Sequence, residues 1–444
     1  MLIGNMTMLK ALLPLPLLTL ATAHPHAALE QRDLVGNMVS HLGADGKNLA
    51  KVASALVEAI EATVPTATIT SPAQASSVLS GIFATATNFL DTAPALIAAG
   101  FDPDDIQDIV EGYSPAQNSV NNTNPAPPKN IYPASPADAP YSLSESTLRS
   151  GIYIPPTFTY GKKPPVILFP GTGVAGGMTW AFTYGDQLAK EPNADPVWVN
   201  IPKFSLDDAQ LTAEYAAYAM SYIGAITNRN TTIITFSQGS LNVQWALKYW
   251  PSTRSVITDF IALSPDYRGT VKAGLICPQS SPLGCTPSIL QQKTMSKFVK
   301  TLLANGGGSA YVRTTNVRSA TDQIVQPQAG PHPSGVLADA RNVGVANYLV
   351  QDVCPASPAG TLVTHAGIIY NSLAFDLVLD VLNNGGPGQA SRLNLPQTCS
   401  RVVAQGDSLN DLVAVESTFV VFLTNFAAYM PRTFVEPPIK AYAT

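Results

Sequence analysis

Charge is scarce in this chain. Only 12% of its 444 residues are Asp, Glu, Lys or Arg, against about 25% in an ordinary soluble domain. Since 46% are hydrophobic, a chain disordered throughout is excluded, because this much apolar surface builds a large core. Lys and Arg number 25 against 30 Asp and Glu and nowhere form a cluster, which argues against a nucleic-acid-binding surface. Beyond the first two dozen positions there is no run of about 18 apolar residues, so no membrane-spanning helix is expected. The four cysteines show no C-x-x-C spacing, and neither a metal nor an organic cofactor is expected. Histidine is rare too: five in the whole chain, which narrows any search for a catalytic base.

What is present starts with an address. Lys10 precedes the apolar run Ala11 to Leu18, and Ala21-Thr22-Ala23 offers small residues for cleavage, so residues 1–23 read as a signal peptide of a secreted, extracellular protein. In an oxidising compartment the four cysteines make two disulfides by one of three pairings. Cys277 with Cys285 and Cys354 with Cys399 is the simplest. Asn121 and Asn230 head Asn-x-Thr sequons in polar, turn-like stretches where glycans attach.

Residues 24–113 are Ala-rich and helical in pattern. Apolar residues at spacings of three and four predict a helix over Asn48–Val57, and Asp102-Pro103-Asp104-Asp105 reads as a helix start, with its carboxylates at the positive end of the dipole. No chemical cluster stands out there, and the segment reads as a helical pro-segment or accessory domain. Residues 114–140, rich in Pro and Asn, read as a linker or extended arm. From 141 to 444 short apolar runs alternate with helical stretches. Val166–Phe169, Val197–Asn200, Thr232–Thr235, Phe260–Leu263 and Tyr311–Thr314 are expected to be buried strands of a mostly parallel sheet, and Ser205–Asp208 opens a helix that runs past Tyr222. The pattern is that of an α/β fold with helices on both faces of the sheet.

The sharpest motif is Thr235-Phe236-Ser237-Gln238-Gly239, an apolar strand leading into a helical run that stops at Pro251. A serine on a strand–turn–helix corner projects its hydroxyl above the sheet as a nucleophile elbow. Serine needs a histidine to take its proton and an acid to orient that histidine. His24, His26 and His41 sit in the leader and the N-terminal segment, and His332 in a proline-bracketed turn. His365, which follows Thr361–Thr364 at what reads as a strand end, is the expected base. For the acid, Asp322 lies past the strand ending at Arg318, in the usual serine–acid–histidine chain order. Asp266, in Ser264-Pro265-Asp266-Tyr267, competes, its alternative being a buried, hydrogen-bonded acid beside the elbow. Oxyanion donors are expected from the Gln238 N–H and from Thr172 in Pro170-Gly171-Thr172-Gly173. Gly171 to Gly176 also spells G-x-G-x-x-G, but the next strand ends in Asn200 instead of the acid that grips a ribose, which disfavours a dinucleotide site.

Taken together, these segments resemble the fungal lipases of the Candida antarctica lipase B type, within the α/β-hydrolases. The oxyanion loop at 170–173, the elbow at 235–239, Pro265–Val271, Ser319–Gln328 and His365-Ala366-Gly367 are similar to family segments in the same order, over roughly residues 140–400. The resemblance implies a carboxylic ester hydrolase commonly acting on triacylglycerols without metal or cofactor. It also supports Asp322 over Asp266 and the pairing of Cys354 with Cys399. Family members carry Trp where this chain has Phe236 and Gly where it has Ser240. That Trp lines the pocket for the smaller alcohol substituent, beside positions matching Val174 and Thr179, so Phe236 implies a roomier pocket. Asp266 is counted with the same pocket. One disulfide of the family core has no cysteines here, and segment 24–113 lies outside that core.

The reading is thus a secreted, monomeric serine ester hydrolase of α/β-hydrolase fold. The substrate is an ester or lipid met at a lipid–water interface. Ser237, Asp322 and His365 form the triad, and Leu290 or the stretch 412–421 lines the acyl channel. Its rivals are a short-chain esterase or acyltransferase with the same triad, and a catalytically silent lipid-binding protein of this fold.

Overall fold

Alternation along each central strand builds this fold. In a computed structural model, residues 62–86, 92–101, 115–277 and 284–444 are described; the leader, the helix expected over Asn48–Val57 and the helix start at Asp102 lie outside them. Strands β1 (Ile152–Tyr153), β2 (Pro165–Phe169), β3 (Asp195–Val199), β4 (Thr231–Phe236), β5 (Ile257–Leu263), β6 (Arg313–Arg318) and β7 (Val345–Leu349) form a sheet in the order β1-β3-β2-β4-β5-β6-β7. Every pairing is parallel except that of the two-residue edge strand β1 with β3.

Because successive side chains point to opposite faces, Val166, Leu168, Ile234, Ile261 and Leu263 enter one core, and Ile167, Phe169, Ile233, Phe260 and Ala262 the other. Of the helices that matter here, α1 (Pro72–Thr85) and α2 (Ala93–Ala98) precede the sheet and α3 (Gly176–Trp180) follows β2. Next come α4 (Ala209–Thr227), α5 (Gln238–Tyr249), α6 (Ser372–Asn384) and α7 (Leu409–Ala428). Helices α4 and α5 cover the second core, while α1, α2, α6 and α7 close the first.

Helix ends follow local chemistry. Ser71 caps α1 by accepting from the Gln74 N–H, with Pro72 in the first turn. Ser408 and Asp411 form a reciprocal capping box at the start of α7. The start of α4 corrects the expected one. Asp208 is the cap and accepts from the Gln210 N–H at 2.9 Å, while Lys203, Phe204 and Ser205 take positive φ in a tight turn before it. Two further expectations give way. No strand forms over 361–364, which is irregular chain between short turns, and the last strand is β7. Strand β6 begins at Arg313, two residues after the expected Tyr311.

Residues 115–140 are an arm laid on the domain. The Gln117 carbonyl accepts from the Trp198 indole (2.7 Å) and the Asn200 amide (2.9 Å). Asn118 accepts from the Met178 N–H, and Asn122 and Asn124 donate to the carbonyls of Ser150 and Ile152. Asn200, where a dinucleotide site would want an acid, instead holds the Gly177 N–H and the arm. Both disulfides form as expected, Cys277–Cys285 and Cys354–Cys399. Helix α7 is long and apolar enough to cross a membrane, but 56% of its most apolar 18-residue window is buried within the protein.

Candidate active site

Strand β4 ends at Phe236 and α5 begins at Gln238, which leaves Ser237 alone in the turn, at φ 53° and ψ −129°. A non-glycine residue with positive φ is strained and is held there by its surroundings. Close packing provides the hold: a Cβ on Gly239 would lie 2.4 Å from the Pro170 carbonyl, so the elbow and the 170–173 loop meet backbone to backbone. Inside the elbow the Thr235 and Ser240 hydroxyls bond each other at 2.7 Å. Ser240, with a hydroxyl where the family resemblance implies Gly, thus gains a buried partner.

Three residues far apart in sequence converge. Ser237 Oγ lies 2.8 Å from His365 Nε2, and His365 Nδ1 lies 2.8 Å from Asp322 Oδ2. Asp322 is acceptor-only as a carboxylate, so Nδ1 carries the ring proton and Nε2 keeps its lone pair toward the serine. The other carboxylate oxygen, Oδ1, accepts from the Ile324 and Val325 N–H groups at 2.8 Å each, which fixes the acid. The neighbouring Gln323 accepts from the His365 N–H at 2.8 Å and ties the histidine loop to the acid loop. All three residues are buried.

Gln238 opens α5, so its N–H has no acceptor within the helix and adjoins Ser237. The Thr172 hydroxyl donates to Gln238 Oε1 at 2.5 Å, and Gln292 donates to the same oxygen at 2.9 Å. Gln292 gave no local signal in sequence; it arrives from the turn after Pro287–Gln291, well over a hundred residues beyond Thr172.

Above the triad lies an apolar cavity lined by Val174, Phe236, Ile289, Ile324, Val325, Phe419 and Phe422 among others. The Phe236 ring sits 4.8 Å from the His365 ring, centroid to centroid. Two residues expected in the pocket are not among its lining. Thr179 turns its hydroxyl to the Ala175 carbonyl within α3. Asp266 is fully buried beneath the site, and its carboxyl oxygens have no hydrogen-bond partner outside the residue. Burial, with Asp322's charge adding and His365 opposing, pushes the Asp266 carboxyl up to about 7. Ile289 takes the place expected of Leu290, and Phe419 and Phe422 of α7 supply the wall expected from the C-terminal stretch. His332 is part of neither triad nor cavity. No group of three or more potential metal ligands occurs among the described residues.

A parallel sheet that delivers a serine through a left-handed turn to a histidine held by a buried aspartate is the architecture of the α/β-hydrolases. No family model matches the chain. Lipase B of Pseudozyma antarctica is 32% identical over 317 residues, covering 69% of this chain and 87% of that protein. The crystal structure of Aspergillus fumigatus lipase B is 42% identical with a TM-score of 0.82, covering 94% of this chain and all of that one. The chain belongs to the lipase B family and is a carboxylic ester hydrolase.

Proposed function

We propose that the protein is a secreted lipase that cleaves long-chain carboxylic esters, triacylglycerols among them, through an acyl-enzyme on Ser237. The observation that carries this reading is the hydrogen-bonded array Ser237–His365–Asp322 opening into an apolar cavity. His365 Nε2 takes the hydroxyl proton as Ser237 Oγ bonds to the ester carbonyl carbon. Asp322 supports the imidazolium that results. The carbonyl oxygen, now an anion, meets the Gln238 N–H and the Thr172 hydroxyl, which turns away from Gln238 Oε1 to reach it. Each such donor contributes about 3 kcal/mol to the transition state. His365 then protonates the departing alcohol, and water activated by the same nitrogen releases the acid and frees Ser237.

Two disulfides and the exposed sequons Asn121 and Asn230 support export and glycosylation. Helices α1 and α2 act as a cap over the lipid-facing side: Phe83 of α1 packs edge-on against Phe419 of α7 (5.3 Å), and Phe419 lines the cavity.

The test is hydrolysis of p-nitrophenyl esters from acetate to palmitate, and of emulsified triacylglycerol, by the wild type and Ser237→Ala. Long-chain and emulsion activity that vanishes in the variant is the expected result. Activity confined to short chains would make the protein an esterase, and a wild type no more active than the variant on any ester would favour a silent lipid-binding protein.

A further inference from the structure

A second carboxyl group lies buried beside the histidine loop, and the mechanism above does not use it. Glu416, on α7, is 1% exposed. Its Oε1 accepts from the Thr364 hydroxyl and, at 2.8 Å, from the Tyr370 hydroxyl. Thr364 immediately precedes His365, and its Oγ1 accepts in turn from the Gly367 N–H at 2.8 Å. A bulkier residue at 367 would collide with this knot, since a Cβ there would lie 2.7 Å from Thr364 Oγ1, 2.9 Å from the Tyr370 hydroxyl and 3.2 Å from Glu416 Oε1. The turn that carries the base is therefore fastened on both sides to one carboxyl group. The same helix braces the opposite wall of the site, where Asn425 donates to the Gly173 carbonyl at 2.8 Å.

We propose that Glu416 is a positioning residue for His365: it fixes the histidine turn through Thr364 and Tyr370, and as an anion it supports the imidazolium formed during the reaction. This rests on the reading of His365 as the catalytic base. The groups facing Glu416 are few. Helices α1, α2 and α3 and the 366–368 turn, all packed against α7, carry no titratable side chain. Asp411 lies more than a turn away at the N-terminus of α7, and Arg432 beyond its C-terminus bonds the Phe426 and Ala427 carbonyls. His365 and Tyr370 are the titratable groups that act on it. Burial pushes the Glu416 carboxyl up to about 7, while the two hydroxyl donors and His365 act in the opposite sense. Its charge is therefore switched across the range in which such hydrolases are assayed.

The experiment compares Glu416→Gln and Thr364→Val with the wild type on a soluble ester, kcat and KM being measured from pH 5 to 9. Glutamine keeps an acceptor for both hydroxyls and removes only the charge. At pH 8 the Glu416→Gln variant is expected to lose about tenfold in kcat with KM changed less than twofold, because Glu416 does not line the cavity. At pH 5, where Glu416 is itself protonated, the two proteins converge. Thr364→Val lowers kcat even at pH 5, where the charge plays no part, because it loosens the turn, and the loss of a hydroxyl donor that holds the Glu416 carboxyl down shifts the onset of its charge to higher pH. A wild-type to Glu416→Gln ratio that is flat with pH, or equal to one throughout, overturns the proposal. Ser237→Ala and His365→Ala are run in parallel. Full activity in those two would instead overturn the reading of the triad itself.

Discussion

Asp266→Asn isolates what a buried carboxyl does beneath this site. The group is fully buried, lacks a hydrogen-bond partner outside its own residue and is pushed from its ordinary 3.8 up to about 7. An acid raised in the folded state holds its proton there after the unfolded chain has lost it. Between pH 3.8 and about 7 the native state thus binds more protons than the unfolded state, and stability falls as pH rises. The rise is about three pKa units, and at 1.36 kcal/mol per unit the loss reaches about 4 kcal/mol once the pH is above both values. Asparagine carries no such dependence. Its buried amide costs about 1–3 kcal/mol at every pH, and that constant cancels when two pH values are compared. Urea unfolding of both proteins at pH 4 and pH 8 is the assay. Relative to wild type, the variant should gain about 4 kcal/mol on going from pH 4 to pH 8. A stability difference that is the same at both pH values would refute the reasoning, because it would mean that Asp266 ionises in the folded protein as readily as in the unfolded chain.

The other predictions concern the elbow, the pocket and the disulfides. Gly239→Ala drives a methyl group into the Pro170 carbonyl and should cost about 1–3 kcal/mol, read as a lower melting temperature, together with most of the esterase activity. Phe236→Trp fills space beside the His365 ring and should slow bulky secondary-alcohol esters by about tenfold or more while sparing ethyl esters; equal slowing of both would separate the residue from alcohol selection. Replacing Cys354 and Cys399 by Ser opens a loop of 45 residues and should cost about 4 kcal/mol, against about 2.5 kcal/mol for Cys277 and Cys285, 8 residues apart. Denaturant unfolding of the two double variants should preserve that order.

The parts of this protein that were legible in sequence are those where chemistry or periodicity restricts residue choice locally. A nucleophilic serine needs a strand before it and a helix after it, and 231–249 spells both. A base must be histidine, and only two of the five were plausible. The continuous apolar strands β2 to β5 announced a sheet covered on both faces. Strands β6 and β7 were harder to read. Arg313-Thr314-Thr315-Asn316-Val317-Arg318 is mostly polar because its side chains serve hydrogen bonds such as Tyr267 to Asn316, and β7 is only partly buried at the sheet edge. Gln292, Gln323 and Glu416 were invisible for a different reason. Each acquires its role from a partner more than forty residues away, and nothing in its immediate neighbours marks it. Thr179, placed in the pocket by the family resemblance, and Asp266, counted with it, do not line the cavity, because a matching position does not say which way a side chain turns.

The arm over 115–125 carries a consequence for maturation. Among the described residues, the Gln117 and Ser119 carbonyls are the acceptors for the Trp198 indole N–H and for the Asn200 Nδ2 hydrogens, both of which are buried with β3 and its exit loop. A protease that removed α1 and α2 by cutting within the arm would strand those groups, whereas a cut upstream of Pro115 would leave every one of them paired. Any removal of α1 and α2 that keeps these hydrogen bonds therefore requires a cut before Pro115, with residues 115–125 left as a seam along β3.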